Sequence, residues 1–492
     1  MKQKVIIIGS GLGGLECGYI LAKEGMDVTI LEQDAHIGGC LQTFKRGACL
    51  FDTGFHYIGG LREGESLHPL FRYFGLLNLP WKQLDEDCFD EVIIGNRSFV
   101  FANGHEQFVE RLCEDFPAER DNLKRYVSFL QSVGSHIYDS FSNQNTDNFY
   151  SSSLFARSAY EFLEETIKDP LLRKVLSGTS LKMELAADSL PLYTFAQINN
   201  SYLQSAWRLK GGGSQIADKL AEEISLMGGN IRKNALVTQL MEEGGKIVQV
   251  EINGEEIMEA DWVISGIHPA STLALITECK NLRRIYRSRI NGLKNTFGFF
   301  TANIKLKPNV FPYLNRNLYI HQSEADLWNI NTTNTESVLV SCMVPSDESG
   351  CTPNIDLLTP MKWEEVNNWA NKTVGNRGED YVTFKESKTE SCLKLIEKRL
   401  PELRNAIDHI YTSTPLSYHH YLKMREGTAY GIRKDYNNTM GTVLTPRTPL
   451  SNLLLTGQNL NLHGVLGVSM TSIFTCAEII GMEYLRNQIL KT

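Results

Sequence analysis

The sequence predicts an α/β protein: a parallel sheet gathered from three separated stretches, with a mixed α+β region inserted between them. Two observations carry this. A short β-branched run, KVIII over 4–8, leads into glycines, a helical stretch and a second strand, all by residue 32. That is the strand–helix–strand opening of a parallel sheet. The same texture returns over 208–270 and again from 451, whereas 75–204 and 271–444 read as other material.

Taken in order, KVIIIG (4–9) is the kind of continuous apolar run that a strand buried on both faces requires. LECGYILAKEG follows as a helix with Leu15, Tyr19 and Ala22 on one face and Gly25 as its stop. DVTILE (27–32) is the second strand. DEVIIGNRSFVFANG (90–104) reads as a hairpin and leads into helical periodicity. The polar stretch over 140–153 reads as a mobile loop. RLKGGGSQIADKL opens a loop and helix before a strand near Val237, and KIVQVEINGEEIMEADWVISGI is a hairpin with a buried strand. Strands and helices alternate over 280–445, and the last 42 residues are a strand, a Gly/Asn loop and a long helix. No repeat or low-complexity segment is visible.

With 492 residues, 42% hydrophobic and 22% charged, the chain is of ordinary globular composition and long enough for a large core. Its 57 acidic and 49 basic residues give a net charge of −8, which argues against a general nucleic-acid binder. Ten scattered cysteines without a CxxC pair predict reduced, mostly buried thiols, no metal site and a cytoplasmic setting. No apolar run reaches the ~18 residues of a membrane span. Lys2 and Lys4 before an apolar stretch mimic a signal peptide, but the glycines and Glu16 break it. Peripheral membrane contact stays open.

The strongest motif is Gly9-Ser10-Gly11-Leu12-Gly13-Gly14, with Gly9, Gly11 and Gly14 at GxGxxG spacing. The first glycine permits the tight turn, the second lets a pyrophosphate reach the backbone, and the third lets helix and strand pack closely. Phosphates then meet the positive end of the helix. Glu32 ends the second strand, where a carboxylate accepts from ribose hydroxyls. Strand, glycines, helix, strand and acid in register predict a dinucleotide site.

Beyond Glu32, LEQDAHIGGCLQT places Gly38-Gly39 before Thr43. Here the chain resembles the FAD-binding, glutathione-reductase-like superfamily, in the branch of amine oxidases and phytoene desaturases. The segment FDTGFHYIGG (51–60) is similar to that of retinol saturases and carotenoid isomerases. LKGGGS (209–214), ADWVIS (260–265), TAYG (428–431) and LTGQ (455–458) with His463, Gly464 and Gly467 are similar to later family motifs. The resemblance implies a discontinuous FAD-binding Rossmann domain from 1–74, 205–270 and 445–492, and a substrate domain from 75–204 and 271–444. It implies a cofactor-binding set of Gly9, Gly11, Leu12, Gly13, Gly14, Glu32, Gln33, Gly38, Gly39, Thr43, Val237, Gly457, Gly464, Gly467 and Val468. The glycine loop running into the last helix would aim backbone N–H groups at the flavin N1 edge; tight packing is the plainer role for Gly464 and Gly467.

His56 and His463 are the histidines inside motifs, expected as proton donors near the flavin or as satisfied core residues. Tyr57 joins them in the catalytic set, with aromatic packing the plainer role, as for Tyr430. Arg208 and Lys210 read as an exposed basic loop, and Asp52 as a cap of its local turn. No second GxGxxG, HExxH, P-loop or GxSxG is present. The expected activity is FAD-dependent redox chemistry or isomerisation at carbon–carbon double bonds of an apolar polyene or isoprenoid-like substrate, with an external electron donor or acceptor that the sequence leaves unnamed. An amine-oxidase-like enzyme, a nicotinamide-dependent dehydrogenase and a lipid carrier that keeps FAD for structure are the rivals. The apolar stretches 67–81 and 125–141 are expected to form, beyond their share of core, an entrance for a greasy ligand at a membrane surface.

Overall fold

In the computed structural model, which describes residues 2–137, 152–277 and 279–491, two sheets organise the chain. The first has five strands in the order Asn230–Arg232, β2 (Asp27–Leu31), β1 (Lys4–Ile8), Trp262–Ser265 and Leu453–Leu455. All its pairings are parallel, with Val5 opposite both Val28 and Trp262. Val5, Ile7, Val28 and Ile30 are fully buried, as a parallel sheet covered on both faces demands. The strands of this sheet thus come from the three stretches that share one sequence texture.

Helix α1 (Leu12–Lys23) leaves β1 through Gly9, whose φ of +91° suits only glycine. The sequence gives it one apolar face, but the structure buries every residue from Leu12 to Ala22. The reason is that α1 is packed between β1, the helix Ser214–Leu226 and the C-terminal helix Gly464–Ile480.

The second sheet has seven strands, in the order Ile407–Ser413, Gly298–Leu306, Asn354–Met361, Ser337–Cys342, Asn317–His321, Asp90–Ile94 and Arg97–Phe101. Only Asn317–His321 with Asp90–Ile94 is parallel. Alternation sorts its side chains: Val92, Tyr319 and Leu339 join a core with helices Arg120–Ser135 and Leu192–Gln204. Ile93, Ile320 and Val340 face the helix Glu379–Ile396 on the other side. The expected hairpin over 90–104 is present as the pair Asp90–Ile94 and Arg97–Phe101.

Two expectations change here. Leu67, Leu70, Phe71, Tyr73, Phe74 and Leu76 are buried core, and so are Tyr126, Val127, Leu130 and Val133. The greasy entrance expected over 67–81 and 125–137 is therefore interior surface; residues 138–141 lie outside the described residues. The loop expected over 140–153 falls there too, apart from Ser152 and Ser153, which are helical.

Candidate functional site

The glycine turn is shaped by close approach. A Cβ on Gly14 would overlap the Gly9 carbonyl oxygen, and one on Gly13 would lie 3.1 Å from the Gly457 Cα. Gly14 therefore seats α1 on β1, and Gly13 seats it on the strand-end turn of Gly457, where φ is +92°. Gly11 differs, because a Cβ there would meet nothing within 4 Å. Gly38 and Gly39, both at positive φ, run beside Gly11, with a 3.0 Å bond from Gly38 N to Ser10 O. No side chain caps the first turn of α1, which leaves its N–H groups directed at the space over Gly11.

Glu32 is buried against this turn. Its Oε2 accepts from the Ser10 amide at 2.9 Å and the Ser10 hydroxyl at 2.5 Å, and Oε1 accepts from the Asp34 amide at 3.0 Å. A carboxylate offers about four acceptor positions, so one remains for a ribose hydroxyl. Gln33 beside it is half-buried. Val237 is buried two residues past Ala235, whose N–H bonds the Glu32 carbonyl at 2.8 Å. Thr43 Oγ1 lies 3.2 Å from Ser214 Oγ. Asp52 Oδ1 accepts from the Gly213 amide at 2.7 Å, so it pins the 211–213 glycines and does not cap its own turn. Burial pushes the Asp52 carboxyl up to about 8.

A cavity of about 50 Å³ lies where the two sheets' elements meet, under the start of the Gly464–Ile480 helix. Its wall is Ile58, Leu67, Ile198, Leu462, Val465 and Leu466, with Gln197, Ser201, Tyr202, His463 and the backbone of Gly464 and Gly467. Gly464 has φ +74° and open space at its Cβ position. Gly467 does not: a Cβ there would strike Leu462. The absent side chain lets the helix close on Leu462, while the Gly467 backbone stays in the cavity wall. Val468, one residue on, is buried with Leu12.

One charged residue lines this wall, Lys182, and it lies in no recognisable motif. Its Nζ lies 3.0 Å from Asp90 Oδ2, and both side chains are almost fully buried. Asp90 Oδ2 also accepts from Tyr57 OH at 2.9 Å, and Oδ1 accepts from Asn317 Nδ2 at 2.9 Å. Tyr57 has one proton and gives it to Asp90, so the 2.6 Å contact with Tyr319 is Tyr319 OH donating. Asn317 Oδ1 in turn accepts from Arg208 Nη2 at 2.7 Å. Arg208 is 2% exposed and also bonds Tyr313 OH and the Leu314 and Arg316 carbonyls, which overturns the exposed basic loop for it. Lys210 is exposed as expected. The Lys182 ammonium lies 4.4 Å from the Tyr202 ring centre, and burial lowers its pKa while Asp90 raises it.

Burial favours the uncharged ring at both motif histidines. Burial pushes His463 down to about 4; its Nε2–H donates to the Lys182 carbonyl at 3.1 Å, and its ring rests on Tyr430 at 4.4 Å. His56 is likewise pushed to about 4, first by burial and then by Arg208. Its 3.9 Å approach to Asp356 is therefore no ion pair, consistent with an Asp356 carboxyl pushed up to about 7 by burial. A neutral ring carries one N–H, and that of His463 is engaged by the Lys182 carbonyl. Tyr57 is committed to Asp90.

Residues 12–337 match the flavin-containing amine oxidoreductase family. The chain belongs to that family. FAD is its cofactor, and the residues fit: two helix N-termini without side-chain caps, open space at Gly11 and Gly464, and a free acceptor on Glu32. Bound FAD supplies a two-electron redox couple, which makes this flavoprotein an oxidoreductase. Among curated relatives, the all-trans-retinol 13,14-reductase of Danio rerio is 28% identical, over 96% of this chain and 85% of its own. The 4,4'-diapolycopene oxygenase of a Methylomonas species is 24% identical, over 96% of each chain. A solved putrescine oxidase shares the fold at a TM-score of 0.62 and 15% identity, over 98% of this chain and 99% of its own. Among the described residues no helix is long and apolar enough to cross a membrane, and no His, Cys, Asp and Glu cluster could hold a metal.

Proposed function

We propose that this flavoenzyme alters carbon–carbon double bonds, by saturation, desaturation or isomerisation, in an apolar polyene or isoprenoid-like molecule. The observation that carries the reading is the cavity wall. Among the described residues, six aliphatic side chains line it, no carboxylate does, and its one charged residue is Lys182. Among the described residues the only anion near this wall, Asp90, is already paired with Lys182, so a protonated amine would find no free carboxylate there, which costs far more in a desolvated wall than in water. That disfavours amine oxidation despite the shared fold. Relatives named for work on a retinoid and on a carotenoid-type compound support the same choice. Gly9, Gly11, Gly13, Gly14, Glu32, Gly38 and Gly39 would hold the dinucleotide, and the backbone at Gly464 would face the flavin. Such substrates partition into bilayers, so the reading includes peripheral contact with a lipid surface.

Anaerobic mixing of the purified enzyme with each compound class, followed by flavin absorbance, tests it. Retinoids or carotenoid precursors are expected to change the flavin redox state and primary amines to leave it unchanged. Rapid reduction by an amine with silence from every polyene overturns the proposal.

A further inference from the structure

The chain carries a net charge of −8, yet from Lys280 to Lys294 the sequence holds six cations and no carboxylate: Lys280, Arg283, Arg284, Arg287, Arg289 and Lys294. The helix Arg284–Asn291 lies within this run. Its inward row is Tyr286, Ile290 and Leu293, packed on the core beside the parallel sheet. Arg284, Ile285, Ser288 and Arg289 are exposed and form the outward row. None of the six cations lies in an ion pair with a described carboxylate. Arg287 is spent locally, on the carbonyls of Leu273, Ile276 and Thr277.

The anomaly is what stands among these charges. Ile285, 78% exposed, sits one turn before Arg289, and Arg289 Nη1 donates to the carbonyl of Met440, itself 91% exposed. Two large, exposed apolar side chains therefore both neighbour Arg289 on a cationic face. The same element leads to the cavity. Just past the helix, Thr296 Oγ1 accepts from the Tyr430 amide, Phe297 packs on the Tyr430 ring, and that ring rests on His463 in the cavity wall.

We propose that the outward face of the Arg284–Asn291 helix, with Met440, docks on an anionic lipid bilayer, Ile285 and Met440 entering the acyl boundary while the arginines pair with headgroup charges. The pattern of apolar tips ringed by cations is what interfacial binding uses. A nucleic acid would gain from the charges and not from the tips, and a protein partner would need more apolar surface than two side chains offer. This inference rests on the apolar-substrate reading for its purpose, since a bilayer is where such a molecule is stored, though its test does not.

The experiment is co-sedimentation of the FAD-loaded enzyme with phosphatidylcholine vesicles, with and without phosphatidylserine. Binding is expected only with phosphatidylserine and should weaken as salt is raised. Each basic residue near such a surface is worth about fivefold in affinity, so R283Q/R284Q should bind roughly twenty-five-fold more weakly. Ile285→Ser should lose roughly tenfold through its apolar tip. Both variants should keep wild-type FAD content and wild-type rates on detergent-dispersed substrate, because neither position touches the cavity. Absence of vesicle binding, equal binding to neutral vesicles, unchanged binding by R283Q/R284Q, or binding to an RNA oligomer in place of vesicles each overturns the docking face. Vesicle binding as expected together with flavin reduction by amines alone would leave this face standing and remove the polyene reading.

Discussion

The ion pair of Lys182 and Asp90 offers the sharpest test of how the candidate site is built. Asp90 is fully buried and receives Lys182 Nζ at 3.0 Å, Tyr57 OH at 2.9 Å and Asn317 Nδ2 at 2.9 Å. Lys182→Met keeps the length and much of the volume of the side chain but leaves Asp90 with two neutral donors and no countercharge. Breaking a buried pair from one side costs about 3–5 kcal/mol, because an uncompensated charge stays in the interior. Replacing both charges at once, in K182M/D90N, removes that penalty. The amide can still accept from Tyr57, although one of its hydrogen-bonding atoms must then meet Asn317 in a changed polarity. The double variant should therefore recover most of the loss.

Thermal unfolding of the FAD-loaded proteins at neutral pH, followed by circular dichroism and flavin fluorescence together, measures this. The single variant should unfold several degrees below wild type, and the double variant between the two and nearer wild type. Because His463 bonds the Lys182 backbone carbonyl and not its side chain, the cavity's shape should survive in every variant. A single variant as stable as wild type, or a double variant no better than the single, would refute the claim that these two charges exist for one another.

Gly11→Ala should leave the fold intact, since φ is −64° and the Cβ meets nothing, yet strip FAD; apoprotein melting and flavin content separate the two effects. Gly14→Ala should give colourless, destabilised protein, because its Cβ overlaps the Gly9 carbonyl; a yellow, stable variant would refute that role. Gly467→Asp should destabilise through its clash with Leu462 and Gly467→Ala should do so in proportion, with no dependence on the new charge; equal melting of Gly467→Ala and wild type would refute packing. Burial raises the Glu16 carboxyl from 4.5 to about 8 against the bonds from Ser469 and Ser472, so the folded chain holds its proton more tightly than the unfolded one. Glu16 therefore lowers stability as pH climbs from about 4.5 toward 8, and Glu16→Gln should flatten that slope in melting curves across the same window.

What could be read from the sequence was what lies close along the chain. The glycine turn, α1 and Glu32 fit in 24 residues, and each spacing there is set by one strand–turn–helix unit, so period and motif were enough. The same holds for the hairpin over 90–104. The Lys182–Asp90–Asn317–Arg208 network has no such local period. Its members come from four remote stretches: the parallel pairing of Asn317–His321 with Asp90–Ile94 sets Asn317 opposite Asp90, and Lys182 and Arg208 reach that pair from elements outside the sheet. A trace of it was present: Arg208 sits between Trp207 and Leu209 in a short apolar strand, and a buried strand that keeps a charge must supply it a partner. Asp52 misled for the same reason, since turn-formers follow it but its partner is 161 residues away. The stretch at 67–81 misled in another way, because apolar richness reads identically in a core and in a ligand entrance. What separates them is the side chain left outside among like charges, as at Ile285, and that becomes visible only once the inward row of Tyr286, Ile290 and Leu293 is fixed by the fold.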